Sequence, residues 1–256
     1  MFAAEVYHQY MVPFLFKVYA DDLAGRIDVP ANGAVLETAA GTGVLTRSLR
    51  DRLPTSTRLV STDINDAMLD VAREIDGVEF QVADATDLPF DDNTFDAVFC
   101  QFGVMFYPDK ERGFSEVARV LKPGGRYLFN VWDRIERNEI PNAIHEFVTA
   151  KSPDDPPCFL TVPYGGLADM NLVTTMLQAA GFRDIDIAVL PRQTGPASVK
   201  DIITGQVRST PLLGELEARG LGDDQTLSEI EGMLRNKFGP DPISAPLQAI
   251  AFVAHR

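Results

Sequence analysis

From residue 34 the chain alternates short apolar runs with stretches of helical periodicity. GAVLETA reads as a strand closing near Glu37, and GVLTRSLRDRL as a helix opening at the glycines. RLVSTDI predicts a second strand and NDAMLDVAREI a second helix, with Asn65 or Asp66 in the capping position. VEFQVAD and FDAVFCQF supply the third and fourth strands. KERGFSEVARVL is a helix that Lys122-Pro123-Gly124-Gly125 should end, and RYLFNVWD is the fifth strand. Strands joined through helices imply a parallel sheet covered on both faces.

Beyond Asp133 the rhythm changes. A helical stretch, IPNAIHEFVTA, runs into the proline-rich SPDDPPCFLTVPYGG; then DMNLVTTMLQAAGF reads as a helix closed by Gly181, RDIDIAVL as a sixth strand and LQAIAFVAH as a seventh. Roughly 55 residues separate those two strands, far beyond a hairpin loop, so that connection must fold on its own through SVKDIITGQV and TLSEIEGMLRNKF. The expected architecture is α/β: a doubly wound, mostly parallel seven-stranded sheet with a helical lid. Its expected division is an N-terminal helical lid segment at 1–30, a core at 31–133, a lid insertion at 134–171, a core helix and strand at 172–190, a second lid insertion at 191–246 and the final strand at 247–256.

The formal net charge of −14 argues against a nucleic-acid partner, which demands a basic footprint, and disfavours anionic membranes. Two cysteines, Cys100 and Cys158, cannot build a disulfide framework, and His8, His145 and His255 are too dispersed to suggest a metal centre. Glu5, His8, Lys17, Asp21 and Asp22 interrupt the apolar N-terminus before it reaches membrane length, and no basic leader precedes it. These features predict a cytoplasmic protein without membrane insertion.

The informative stretch is VLETAAGTGVLTRSL. A glycine-rich turn between a strand and a helix lets a ligand approach the backbone closely, and such turns commonly hold phosphates. Here the dinucleotide fingerprint fails at its third glycine, where Thr46 stands, and no Gly-Lys-Ser/Thr follows to make a phosphate loop. Glu37 would also repel a pyrophosphate. A ligand with positive charge and no phosphate removes the conflict.

The ordered set VLETAAGTG, STDIN, VADATDLPF, FDAVFCQFGVMFYPD and LKPGGRYLFNVWD resembles the core of class I S-adenosylmethionine-dependent methyltransferases, most closely the group containing the ubiquinone/menaquinone-biosynthesis C-methyltransferases and many small-molecule methyltransferases. Ala39 departs from the pattern, standing where that family often has glycine. The resemblance implies a Rossmann-like fold and S-adenosylmethionine as cofactor, with S-adenosylhomocysteine as product. It implies that Glu37 faces the methionine ammonium, directly or through water, and that Ala39, Gly41 and Gly43 let the backbone close on methionine and ribose. Asp63 would accept both ribose hydroxyls, Ile64 would lie on the adenine face, Asp84 and the Ala85 amide would hold the adenine edge, and Gln101 and Phe102 would line the methionine side.

The implied activity is methyl transfer to a small-molecule acceptor, at carbon, oxygen or nitrogen; a non-catalytic cofactor-binding or interaction domain is the alternative. Absence of an Asn/Asp-Pro-Pro-Tyr/Phe signature after the fourth strand also counts against nucleic acid as substrate. His8, His145 and Tyr10 are the candidate catalytic groups, and Tyr7, Tyr10, Phe106, His145 and Tyr164 the candidate lining of a closed acceptor pocket under the lid.

Overall fold

The computed structural model describes residues 4–256, so the first three residues of the expected N-terminal segment lie outside the described part. Seven strands form one sheet: β1 (Ala34–Glu37), β2 (Arg58–Asp63), β3 (Glu79–Val82), β4 (Phe95–Gln101), β5 (Leu121–Trp132), β6 (Arg183–Gln193) and β7 (Pro246–His255). Their order across the sheet is β3-β2-β1-β4-β5-β7-β6. The pairs β3/β2, β2/β1, β1/β4 and β4/β5 are parallel, and β7 returns antiparallel to β5. The register sets Glu37 beside Ser61 on one side and Phe99 on the other, and Asp63 beside Val82.

The chain divides into two compact units. The sheet unit comprises Tyr19–Trp132, Gly166–Leu190 and Ala249–Arg256. One of its apolar layers joins Ala20, Leu23, Leu45 and Leu49 of two helices to Val35, Leu59 and Phe99 of three strands. Burying each such side chain contributes about 1.5–3 kcal/mol, which fixes the helix Val44–Arg50 against β1. Asn65 caps the helix Asp66–Ala72 by accepting from the Ala67 amide, as expected. Phe129 stacks on Phe252 at 4.9 Å and Tyr127 on Phe129 at 4.7 Å, tying β5 to β7.

The helical unit comprises residues up to Val18, Asp133–Gly165 and Pro191–Gln248. It contains the helices Ala4–Tyr10, Glu139–Lys151, Thr161–Tyr164, Val199–Ile203, Leu212–Glu217 and Asp224–Phe238, with wide π-helical turns at Val12–Phe16 and Thr204–Arg208. Gly205 lies where a Cβ would come within 3.1 Å of Tyr10 Cβ and Met11 Sδ, so its lack of a side chain lets the N-terminal helix approach. Sequence patterning grouped residues 19–30 with this unit, but Tyr19, Ala20, Leu23 and Ala24 are buried in the sheet unit instead. The helix Lys110–Val120 ends just before Lys122-Pro123-Gly124-Gly125, as expected, and these four residues also form the irregular start of β5, where the pairing with β4 shifts register between Phe95 and Ala97.

Candidate functional site

The parallel strands β1, β2 and β4 end side by side, and the chain leaves each of them through a tight turn. After β1, Ala39, Gly41 and Gly43 all adopt left-handed backbone, with φ of +53°, +56° and +81°. The three do different things. At Gly43 a Cβ would stand 2.8 Å from Ile75 Cδ1 and 2.9 Å from Ala72 Cβ, so this glycine admits the packing of the helix Asp66–Ala72. Gly41 has room around it, and its requirement is the backbone angle itself. Ala39 takes the same angle with a Cβ in place, which is a strained conformation for an L-residue.

Glu37 is 1 % exposed. Its Oε2 accepts hydroxyl bonds from Thr46 and from Ser61 at 2.9 Å, and the Thr46 amide donates to the same carboxyl group. The threonine that breaks the dinucleotide fingerprint is thus the anchor of the acid. All these donors are neutral, so desolvation dominates and raises the carboxyl to about 7, with the nearby Asp63 charge adding to the rise. So deep a group has its carboxyl engaged by Thr46 and Ser61 rather than open at the turn.

Asp63, at the end of β2, is only partly buried. Its Oδ2 accepts from the Gly41 amide at 2.8 Å and its Oδ1 from the Asn65 amide at 2.9 Å. One bond therefore ties the end of β2 to the glycine turn. Burial raises this carboxyl too, against those backbone bonds. The next residue, Ile64, is 69 % exposed, an isolated apolar surface beside a carboxylate. Beyond β3, Asp84 is exposed, its Oδ1 receiving the Thr86 amide and hydroxyl at 2.8 and 2.7 Å, and these bonds hold its carboxyl below the ordinary value. Ala85 is buried behind it.

Gln101 ends β4 half-buried, and Phe102 follows in left-handed backbone at φ +52°. The Phe102 amide donates to Asn130 Oδ1 at 3.1 Å, and its ring stacks on Trp132 at 3.9 Å while Tyr19 meets both edge-on. Gly103 is a residue that patterning missed. A Cβ there would lie 2.4 Å from Ala39 Cβ and 2.7 Å from Cys100 Sγ, so the turns after β1 and β4 touch only because position 103 is bare. Nothing in the spacing of glycines distinguishes it, since its partner lies more than sixty residues away.

All ten residues expected to hold the cofactor fall within the sheet unit. Of the expected acceptor residues, Phe106 belongs to the sheet unit and is 53 % exposed, whereas Tyr7, Tyr10, His145 and Tyr164 belong to the helical unit. Tyr7 stacks on Phe16 at 5.6 Å, Tyr164 is buried, and His8 and Tyr10 are half-buried. His145 Nδ1 and Thr149 Oγ1, one turn apart on the helix Glu139–Lys151, are buried with no hydrogen-bond partner among the described residues.

Carboxylates at the ends of adjacent strands accept from hydroxyl and amino donors and repel phosphate, and Ile64 adds a flat apolar surface. This set of acceptors fits a nucleoside that carries positive charge and no phosphate.

Comparison with known proteins agrees with that chemistry. Residues 36–129 match the methyltransferase domain family. The chain is 35 % identical to the ubiquinone/menaquinone biosynthesis C-methyltransferase UbiE of Idiomarina loihiensis over 191 residues, which are 67 % of this chain and 74 % of that protein. It is 40 % identical to the protein of the same name from an Enterobacter species over 121 residues, 44 % of this chain and 47 % of the relative, so it spans about half of that relative's length. Among solved structures, Haemonchus contortus phosphoethanolamine N-methyltransferase 2 in complex with S-adenosyl-L-methionine resembles it with a TM-score of 0.58, covering 99 % of this chain and 56 % of that one. At 17 % identity, that likeness speaks for the fold.

Proposed function

The chain belongs to the class I S-adenosylmethionine-dependent methyltransferases, and we propose that within that family it methylates a small organic acceptor. The observation that carries this reading is the row of acids on neighbouring strands: Glu37 ending β1, Asp63 ending β2 and Asp84 just past β3, each in a different state of exposure. When bound, S-adenosylmethionine supplies a methyl group made electrophilic by its sulfonium.

In this reading each residue of the sheet unit has a separate task. Asp63 accepts the ribose hydroxyls while its bond to Gly41 keeps the glycine turn in place. Ile64 gives the adenine an apolar face, and Asp84 accepts from its amino group. Glu37, sealed behind the turn, favours a cationic ligand through its field. Displacement at a methyl group needs alignment and exclusion of water more than it needs acid or base chemistry, so the chain's main work is positioning. We assign acceptor recognition to the helical unit's Tyr7, Tyr10, His145 and Tyr164. The relatives are named as C-methyltransferases of ubiquinone and menaquinone biosynthesis, and a carbon of a quinol-like ring is accordingly the first acceptor to test.

The test has two arms. Calorimetry with S-adenosylhomocysteine should give micromolar affinity, about −8 kcal/mol, and silence on folded protein overturns the cofactor assignment. Transfer of a labelled methyl group to a demethylated quinol should follow. Labelling of a different acceptor class from a metabolite extract would keep the enzyme and displace the quinol.

A further inference from the structure

Within the sheet unit a short hydrogen-bonded chain connects β4 to the glycine turn. The Thr38 hydroxyl donates to the Phe99 carbonyl at 3.4 Å. Its oxygen also lies 3.0 Å from the Tyr107 hydroxyl, which in turn lies 3.4 Å from Cys100 Sγ. Each hydroxyl carries one hydrogen and can also accept, so Thr38, Tyr107 and Cys100 form one connected set whichever way the protons point. Tyr107 sits at its centre, between the Thr38 hydroxyl and the Cys100 thiol.

Tyr107 is fixed by more than its hydroxyl. Its carbonyl accepts from Lys110 Nζ at 3.1 Å, and its ring fills the space at Gly113, where a Cβ would stand 2.6 Å from Tyr107 Cδ2. Thr38 immediately precedes Ala39, the strained left-handed residue of the turn, and Ala39 meets Gly103 from the turn after β4. A rigid tyrosine thus grips the residue that sets the angle of the cofactor turn.

We propose that Tyr107, acting through Thr38, is a positioning residue that holds the 38–41 turn in its binding conformation and thereby sets cofactor affinity. This rests on the cofactor assignment made above. The hydroxyl relay supports the left-handed backbone at Ala39, which an alanine would otherwise leave for an ordinary conformation.

The experiment measures the dissociation constant of S-adenosylhomocysteine by calorimetry, well below the melting temperature, for the parent, Tyr107→Phe, Thr38→Val, Thr38→Ser and the Tyr107→Phe/Thr38→Val double variant. Tyr107→Phe should weaken binding about tenfold, the effect of one buried hydrogen bond. Thr38→Val should do the same, Thr38→Ser should bind like the parent, and the double variant should be no weaker than the worse single one. Adding Ala39→Gly to Tyr107→Phe should recover most of the loss, because glycine holds the left-handed angle without help. A lowered melting temperature with an unchanged dissociation constant, or losses that multiply in the double variant, would overturn the proposal. A parent that does not bind defeats the cofactor assignment itself. If Tyr107→Phe does not fold, Thr38→Val against Thr38→Ser reads the same relay.

Discussion

The ends of β1 and β2 lie next to each other, and each carries one acid, yet the two acids live in different media. Glu37 is sealed, bound by Thr46 and Ser61, and raised to about 7. Asp63 is partly open and is bound by backbone amides, one of which belongs to the glycine turn. The same functional group in adjacent strands therefore does two jobs. In the proposed reading, the sealed acid shapes the site from behind and the open one meets the ligand. Burial, not residue type, divides the labour.

The strongest way to break this comparison is to remove the sealed acid. At about pH 4.5, where the buried carboxyl is neutral, Glu37→Ala should cost about 3 kcal/mol of stability, because it leaves a cavity and strands the Thr46 and Ser61 hydroxyls. Equilibrium denaturation checks it; a loss below 1 kcal/mol would mean that the carboxyl does not anchor the turn. Removing the open acid should have the opposite signature. Asp63→Ala should lower cofactor affinity by about 2 kcal/mol, roughly thirtyfold, with a smaller loss of stability, about 1 kcal/mol, from the amide bonds it gives up. Equal effects of the two substitutions on stability would erase the distinction.

A gentler test uses protons. Glu37 has a folded value of about 7 against 4.5 for the ordinary carboxyl, so the folded protein holds a proton there that the unfolded chain has released. Its contribution to stability is therefore present below about pH 4.5 and is lost as pH rises toward 7. Asp96, Glu79 and Glu116, held low by their basic partners, impose the opposite slope, so the stability difference between the parent and Glu37→Gln across pH 4.5 to 7.5 isolates this residue. Cofactor binding should move the other way. A cationic ligand favours the carboxylate, so affinity should rise about tenfold between pH 6 and pH 8, with a proton released on binding. A flat profile in the parent would place the charge of Glu37 out of the ligand's reach.

The alternation of strand and helix from residue 34 to 133 was legible because the inner strands of a parallel sheet are buried on both faces, which writes β1 and β2 as apolar runs that stop at an acid. The candidate site was legible at those acids for the same reason. What escaped was the work of uncharged residues. Thr46 looked like a failed glycine and is the partner of Glu37. Thr38, Tyr107 and Gly103 act through contacts with residues distant in sequence, and local spacing carries no trace of them. The π-helical turns at Val12–Phe16 and Thr204–Arg208 were hidden too, since a five-residue widening of a helix leaves its apolar period almost unchanged. In the helical unit, moreover, Leu212–Glu217 is one short helix with two buried leucines, too brief for periodicity to declare itself.

The smallest effect lies between the two acids, at Ala39. Its left-handed backbone costs an L-residue about 1–2 kcal/mol, which glycine does not incur. Glycine in turn gives the unfolded chain extra freedom, worth about 0.5–1 kcal/mol against folding. The two terms oppose each other, and the strain is the larger, so Ala39→Gly should stabilise the protein by about 0.5 kcal/mol. Denaturant midpoints can resolve that difference if the slope is unchanged. The sign is what matters. If the substitution destabilises, the alanine methyl is making a contact worth more than its strain, and the candidate is the bare face of Gly103, the position that a Cβ would bring within 2.4 Å of it. In that case the turns after β1 and β4 would be joined by packing at this point, and the divided labour of the two acids would rest on a methyl group.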